Sequence, residues 1–145
     1  MNLSQNVKIR LIEVYTAAGT SAIDSAEVDM LGYDGVVFLT TLAVANAGNY
    51  VKAQQDTVTG MGSAADLLGT KVTPTANNEA VWLDIYKPLE RFVRLYVTRT
   101  ASSACGEIYA IQYCGRIKPE GATVANVVTD TVIGELHVSP IEGTA

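Results

Sequence analysis

Short runs of alternating apolar and polar residues, separated by clusters of Gly, Pro, Asn, Asp and Ser, dominate the chain. From Asn6 to Tyr15 (NVKIRLIEVY), Val7, Ile9 and Leu11 alternate with Lys8 and Arg10, which predicts a half-buried strand. Thr16–Thr20 (TAAGT) predicts a turn, Glu27–Met30 a short strand, and Asp34-Gly35 a turn into the next run. Val36 to Ala45 (VVFLTTLAVA) is rich in β-branched residues and apolar on both faces, as in a central strand. After the turn Asn46–Asn49, the run Tyr50–Asp56 predicts its hairpin partner, with Val51 and Ala53 opposite Lys52 and Gln54.

Ser63 stands ahead of AADLLG and Gly69 closes it, which predicts one capped helical turn. Glu79–Tyr86 sets Val81, Leu83 and Ile85 against Trp82, Asp84 and Tyr86, and Lys87-Pro88 ends it. Phe92–Arg99 turns Val93, Leu95 and Val97 inward and Arg94 outward. Cys105–Cys114 predicts one last strand, with Ile108 and Ala110 on one face and Glu107, Tyr109, Ile111 and Tyr113 on the other. Six or seven strands without a long helix predict a single all-β domain, a sandwich or barrel. The body covers 1–118. Residues 119–145 are interrupted by Gly and Pro, and form either an added strand at Thr131–Val138 or an extended arm.

Composition sharpens this picture in one respect. Of the 145 residues 48% are hydrophobic and 17% charged, against a usual charged share of about 25%. The surplus is mostly Ala and Val, and is either a small-residue-rich β core with Ala in its loops or apolar surface buried against a partner. Residues 1–118 hold all 10 Lys and Arg. Glu120, Asp130, Glu135 and Glu142 supply most of the net charge of −5 from a tail without Lys or Arg. Such a charge distribution suits neither nucleic acid nor an anionic surface. No run is long enough to span a membrane, and the N-terminus lacks the apolar stretch of a signal peptide.

Candidate chemistry is sparse. A Ser-His-Asp triad would have to use His137, the one histidine, and no serine sits in a G-x-S-x-G elbow. Cys105 and Cys114 lack metal-ligand spacing and are expected as free thiols. Asp24, Glu27, Asp29 and Asp34 make an oxygen-rich segment without the spacing of a calcium loop. The expectation is no enzyme, no cofactor and no metal. Lys87, Arg91, Arg94 and Arg99 are the densest basic group, and Arg94 shares a strand face with Phe92 and Tyr96, the residue types that anchor protein interfaces. Trp82 and Tyr86 share another face that can serve as a platform for sugar rings.

Three phrases carry a resemblance: Val28 to Val36 (VDMLGYDGV), Asp84 to Arg94 (DIYKPLERFVR) and Ala110 to Tyr113 (AIQY), with the opening Asn2 to Val7 (NLSQNV). Over about residues 2–118 the chain resembles the head decoration, or cement, proteins of tailed bacteriophages. That resemblance implies a β-sandwich or jelly-roll-like body with no catalytic residues. It also implies self-association as a dimer or trimer and a clamping role on the major capsid protein. The expected location is the capsid surface of the virion, after synthesis in the host cytoplasm. Cys114 and the tail after Lys118 depart from the pattern. Alternative readings are a neck, tail or fibre-associated protein, and a carbohydrate- or host-surface-binding module. The residues assigned to contacts are Phe92, Arg94 and Tyr96 on the body and Val124, Val128 and Ile133 on the tail.

Overall fold

Strands of six to eight residues and fragments of two to four are interspersed along the chain, which passes repeatedly from one sheet to the other. The structure, a computed structural model, describes residues 3–116 together with Val132 and Glu142. After a 3-10 turn at Leu3–Gln5 come β1 (Val7–Glu13), β2 (Thr16–Gly19), β3 (Ile23–Asp24), β4 (Val28–Asp29), β5 (Gly35–Leu42) and β6 (Asn49–Asp56). They are followed by β7 (Ala65–Asp66), β8 (Glu79–Tyr86), β9 (Phe92–Arg99), β10 (Ser103–Cys105) and β11 (Ile108–Tyr113). All pairings are antiparallel.

Several of these strands are halves of one broken strand. β1 and β2 pair with β11 and β10 respectively, and β10 and β11 both lie along β5. The first sheet therefore runs β1/β2, β11/β10, β5, β8. The second runs β3/β4, β9, β6, β7. With each broken strand counted as one position, only the step from β6 to β7 stays within a sheet. Among the described residues, eight strand positions in two four-stranded antiparallel sheets with this order make a jelly roll, an all-β sandwich.

The core lies between the sheets. Val36, Phe38 and Leu42 of β5 and Val93, Leu95 and Val97 of β9 are fully enclosed, with Val51, Ala53, Ile108 and Ala110 around them. The period-two alternation of β8 and β9 holds as the sequence predicts: Val81 and Ile85 are buried, Leu83 packs on the core, and Trp82, Asp84 and Tyr86 face out.

Other expectations give way. Tyr50–Asp56 is not the hairpin partner of β5; it crosses to the other sheet and pairs with β9, because Val51 and Ala53 find their apolar neighbours there. Where a turn was expected over Thr16–Thr20, Thr16–Gly19 is a strand, since β10 supplies backbone partners that the small side chains do not advertise. The segment after Ser63 forms β7 and no helical turn. Asp66 spends its carboxylate on Lys52 and Gln54 of β6, and the Ser63 amide donates to Asp56 Oδ2 at 2.8 Å. Cys105–Cys114 splits at Gly106 and Glu107 into β10 and β11. Both cysteines are free thiols, Cys105 buried and Cys114 exposed. Against an expected six or seven, the described residues hold eleven strands, because three strand positions are broken in two and β7 is added where a helical turn was expected.

Arg99 departs furthest from expectation. Counted by sequence only as one of the densest basic group, it lies in phase with inward Val93, Leu95 and Val97 and is 3% exposed. Its Nε donates to Ser21 O at 2.9 Å, and its Nη1 donates to Ala17 O at 2.9 Å and to Ser103 O at 2.8 Å. It clasps the place where the chain leaves the first sheet for the second.

Candidate functional site

The outer faces of the two sheets differ in kind. On the second sheet Phe92, Arg94 and Tyr96 come together as predicted, half-buried on β9 beside Lys52 and Gln54. Their polar groups are engaged within the chain. Arg94 Nε donates to Gln54 Oε1 at 2.8 Å and its Nη2 pairs with Asp24 Oδ1 at 3.1 Å. Gln54 and Lys52 in turn bond Asp66 at 2.8 and 2.6 Å, and the Lys52 ammonium sits 4.7 Å from the Tyr96 ring centre. The result is a ladder of paired charges across four strands, β7, β6, β9 and β3. The Lys52 and Gln54 bonds hold the Asp66 carboxyl below its ordinary range.

Asp29 is also committed: Arg91 Nε and Nη2 reach its two oxygens at 2.9 and 2.7 Å, and this fork lowers its pKa. Glu27 accepts from the Thr59 hydroxyl and from Gly60 N. The acidic segment thus serves local pairing. Among the described residues no three His, Cys, Asp or Glu side chains converge as a metal site would require. His137 and the predicted tail contacts Val124, Val128 and Ile133 lie outside the described residues.

The first sheet presents the opposite chemistry. Residues directly opposite in an antiparallel pair share a face, so the register reads out its outer surface row by row. One row is Val7, Tyr113, Gly35 and Tyr86; the next is Ile9, Ile111, Val37 and Asp84; the third is Leu11, Tyr109, Leu39 and Trp82. Eleven of these twelve positions carry no charge. From strand and residue spacings this face measures about 20 by 20 Å, about 400 Å² in projection, a size at which apolar patches on monomers are often functional. Trp82 and Tyr86 are 63% and 59% exposed, whereas Tyr109 is 36% and Val7 3%. The open part is therefore the β8 side.

This face corrects two expectations. The apolar side of β1 was expected to meet the core. Its register with β11 instead sets Val7, Ile9 and Leu11 on the outer face, and Ile12 enters the core where the register slips between Leu11 and Glu13. β5 is central by pairing, yet only one of its faces is enclosed: among the described residues no further layer lies over half-buried Val37 and exposed Leu39.

The one charge on the face, Asp84, is tied to β11 across β5 by a hydrogen bond. The Tyr113 hydroxyl donates to Asp84 Oδ1 at 2.6 Å, and the Tyr113 ring stacks near Tyr86 with centres 6.4 Å apart and planes 6° off parallel. Gly35 makes this possible, since a Cβ there would stand 2.2 Å from Tyr113 Cζ. The Asp-Gly pair that reads as a turn is also the bare backbone over which the ring lies. Desolvation, then the Asp84 carboxylate, pushes the Tyr113 phenol well above its ordinary value.

A pH test follows from that shift. The phenol is harder to ionise in the folded state, so its contribution to stability is whole below about pH 10 and is lost as pH rises from there toward the folded value. Asp84→Asn is expected to bring Tyr113 titration down toward pH 10, read as tyrosinate absorbance, with desolvation keeping part of the rise. An unchanged titration would show that Asp84 does not act on Tyr113.

The sequence singled out Trp82 and Tyr86 on this face but missed Val37, Leu39, Tyr109, Ile111 and Tyr113 as their neighbours. Two signals were available: a β5 run apolar on both sides and a β11 run with Tyr109, Ile111 and Tyr113 in phase. A scan against protein-family profiles, a search of curated proteins and a search of solved structures return no match for this chain.

Proposed function

We propose that this chain is a structural protein of a phage virion that binds the outer surface of the head and stabilises the mature capsid lattice, without a catalytic step. The observation that carries the reading is the broad, mostly apolar outer face of the first sheet, with Asp84 its one charge among twelve register positions, set on a two-sheet body. A face of that kind loses unfavourable apolar hydration when it meets another protein surface. The second sheet, with its charges already paired, suits the solvent side. Jelly rolls recur among viral capsid and lectin domains, an association of fold and not of site.

The mechanism is mass action. A protein that binds the mature lattice and not its precursor stabilises the mature form by its binding free energy. Many copies on one particle add their weak contacts through multivalency. The partner is the major capsid protein, and the surface offered to it is the row set from Tyr113 and Tyr86 to Tyr109 and Trp82.

The decisive experiment counts the chain in purified virions by quantitative mass spectrometry against the major coat protein. A copy number equal to that of the coat subunits, or a simple fraction of it, is expected. A handful of copies would move the protein to the neck, tail or fibre, and its absence from particles would end the virion reading.

One observation favours a second reading, a carbohydrate- or host-surface-binding module. Trp82, Tyr86 and Tyr113 form an aromatic surface beside the Asp84 carboxylate, a combination suited to stacking a sugar ring and accepting its hydroxyls. Specific binding of the purified chain to a glycan array would favour it over the capsid contact.

A further inference from the structure

Sheet edges are where one β protein pairs with another, and most natural edges are blunted against it. Four edges bound the two sheets. Three are guarded. The β7 edge is two residues long, and the β3/β4 edge is two pairs of residues broken by a gap. The β1 edge carries Lys8 and Arg10 opposite the inward residues Gln112 and Ala110, and a bulge follows at Leu11–Glu13. The fourth edge, β8, has none of these devices. It is an unbroken strand of eight residues without Pro, Lys or Arg, and among the described residues its far side pairs with nothing. Its two carboxylates do not guard it: Glu79 folds back onto the amides of Thr75 and Ala76, and Asp84 is held by Tyr113. The most exposed aromatics of the outer face, Trp82 and Tyr86, stand on this same strand.

We propose that a second copy of the chain adds to this edge, β8 against β8, about a twofold axis, joining the two first sheets into one. An isologous pair needs only one self-complementary strand. Face matching requires outward residues to meet outward residues, and like charges directly opposite are unfavourable, which excludes a register centred on Asp84. The register centred on Leu83 satisfies both. It sets Val81 opposite Ile85 of the partner subunit on the inner side. On the outer side it sets Trp82 opposite the partner's Asp84, and bulky Tyr86 opposite the small partner residue Ala80. Leu83 itself, half-buried at the end of the core, gains a cover.

Seven paired residues make a contact about 24 Å long and, with side chains of both faces, about 15–20 Å deep. That is about 400–500 Å² from each copy, near the lower limit for a specific interface, so a dimer with micromolar affinity is expected. The pairing also places two apolar faces side by side as one surface of double width. It goes beyond the capsid reading and does not depend on it.

Sedimentation equilibrium of the full chain tests it. The wild type is expected to be dimeric at about 100 µM, and Leu83→Lys, which sets two ammoniums face to face at the axis, is expected to be monomeric. Because Leu83 touches the core, a second variant guards against misfolding: Leu83→Cys in a Cys114→Ser background is expected to form a disulfide dimer under mild oxidation, while Leu39→Cys in the same background is not. A wild type that stays monomeric at millimolar concentration would overturn the proposal. So would a dimer that Leu83→Lys leaves intact and Leu83→Cys fails to cross-link. Both readouts use the purified chain, so absence from virions would leave this inference standing, and a monomer would leave the capsid reading standing.

Discussion

Arg99→Met is expected to destabilise the fold by about 3–4 kcal/mol, the sum left when buried, charge-assisted hydrogen bonds are lost and their carbonyls stay enclosed. The guanidinium is the one group that ties Ala17, Ser21 and Ser103 together, at the crossing between sheets and at the entry to β10. Met fills similar volume and offers no donor, so the packing survives and the three carbonyls lose their partner. Arg99→Lys is expected to recover only part of the loss, because an ammonium on a straight stem cannot fork toward three acceptors in different directions. Denaturant unfolding followed by circular dichroism measures both. For a chain of this length the Met variant should melt about 10 °C lower. A loss below about 1 kcal/mol would mean that water takes over the carbonyls and that the clasp is not structural.

Leu39→Glu with Trp82→Glu is expected to weaken attachment to heads stripped of this protein by about 100- to 1,000-fold, the effect of removing two buried anchors at about 2 kcal/mol each. The two side chains are directly opposite on β5 and β8 and both are exposed. Their replacement removes apolar area and adds two carboxylates where the face has one. Exposed positions tolerate such changes, so the melting temperature should move by no more than a few degrees. The matching control is Arg94→Ala with Phe92→Ala on the second sheet, which should bind heads normally if that face looks to solvent. Loss of attachment in the control, with the Leu39 and Trp82 variant unaffected, would reverse the orientation and return the contact to the Phe92, Arg94, Tyr96 face.

The alternation in β8 and β9 was legible from the sequence because each has one polar and one apolar side, and a two-layer sandwich buries one side. β5 was legible as central because its β-branched run admits no other use, but its apolar outer side gave no sign of remaining uncovered. β2 and β7 were not legible. Their residues, Ala, Gly, Thr and Asp, suit turns by local preference, and a strand forms there only because β10 and β6 present backbone partners. The outer-face site was half legible: Trp82 and Tyr86 could be paired within one strand, whereas Leu39, Tyr109 and Tyr113 join them only through register.

By itself the sequence determined the class of this protein, all β, and the inward residues of its two cleanest strands, because both follow from period-two patterning within a single run. Which runs become neighbours was decided by the tertiary structure, since every connection between strand positions but β6 to β7 crosses between sheets, with each broken strand counted as one position, and local turn signals say nothing about such crossings. The same is true of the direction in which Val7, Ile9 and Leu11 point: alternation defines two faces, and only the second layer chooses which one is inside. Arg99 follows the same logic. A cation reads as surface until the folded chain brings three carbonyls around it, and those come from residues 17, 21 and 103, too far apart along the chain for any local pattern to announce them.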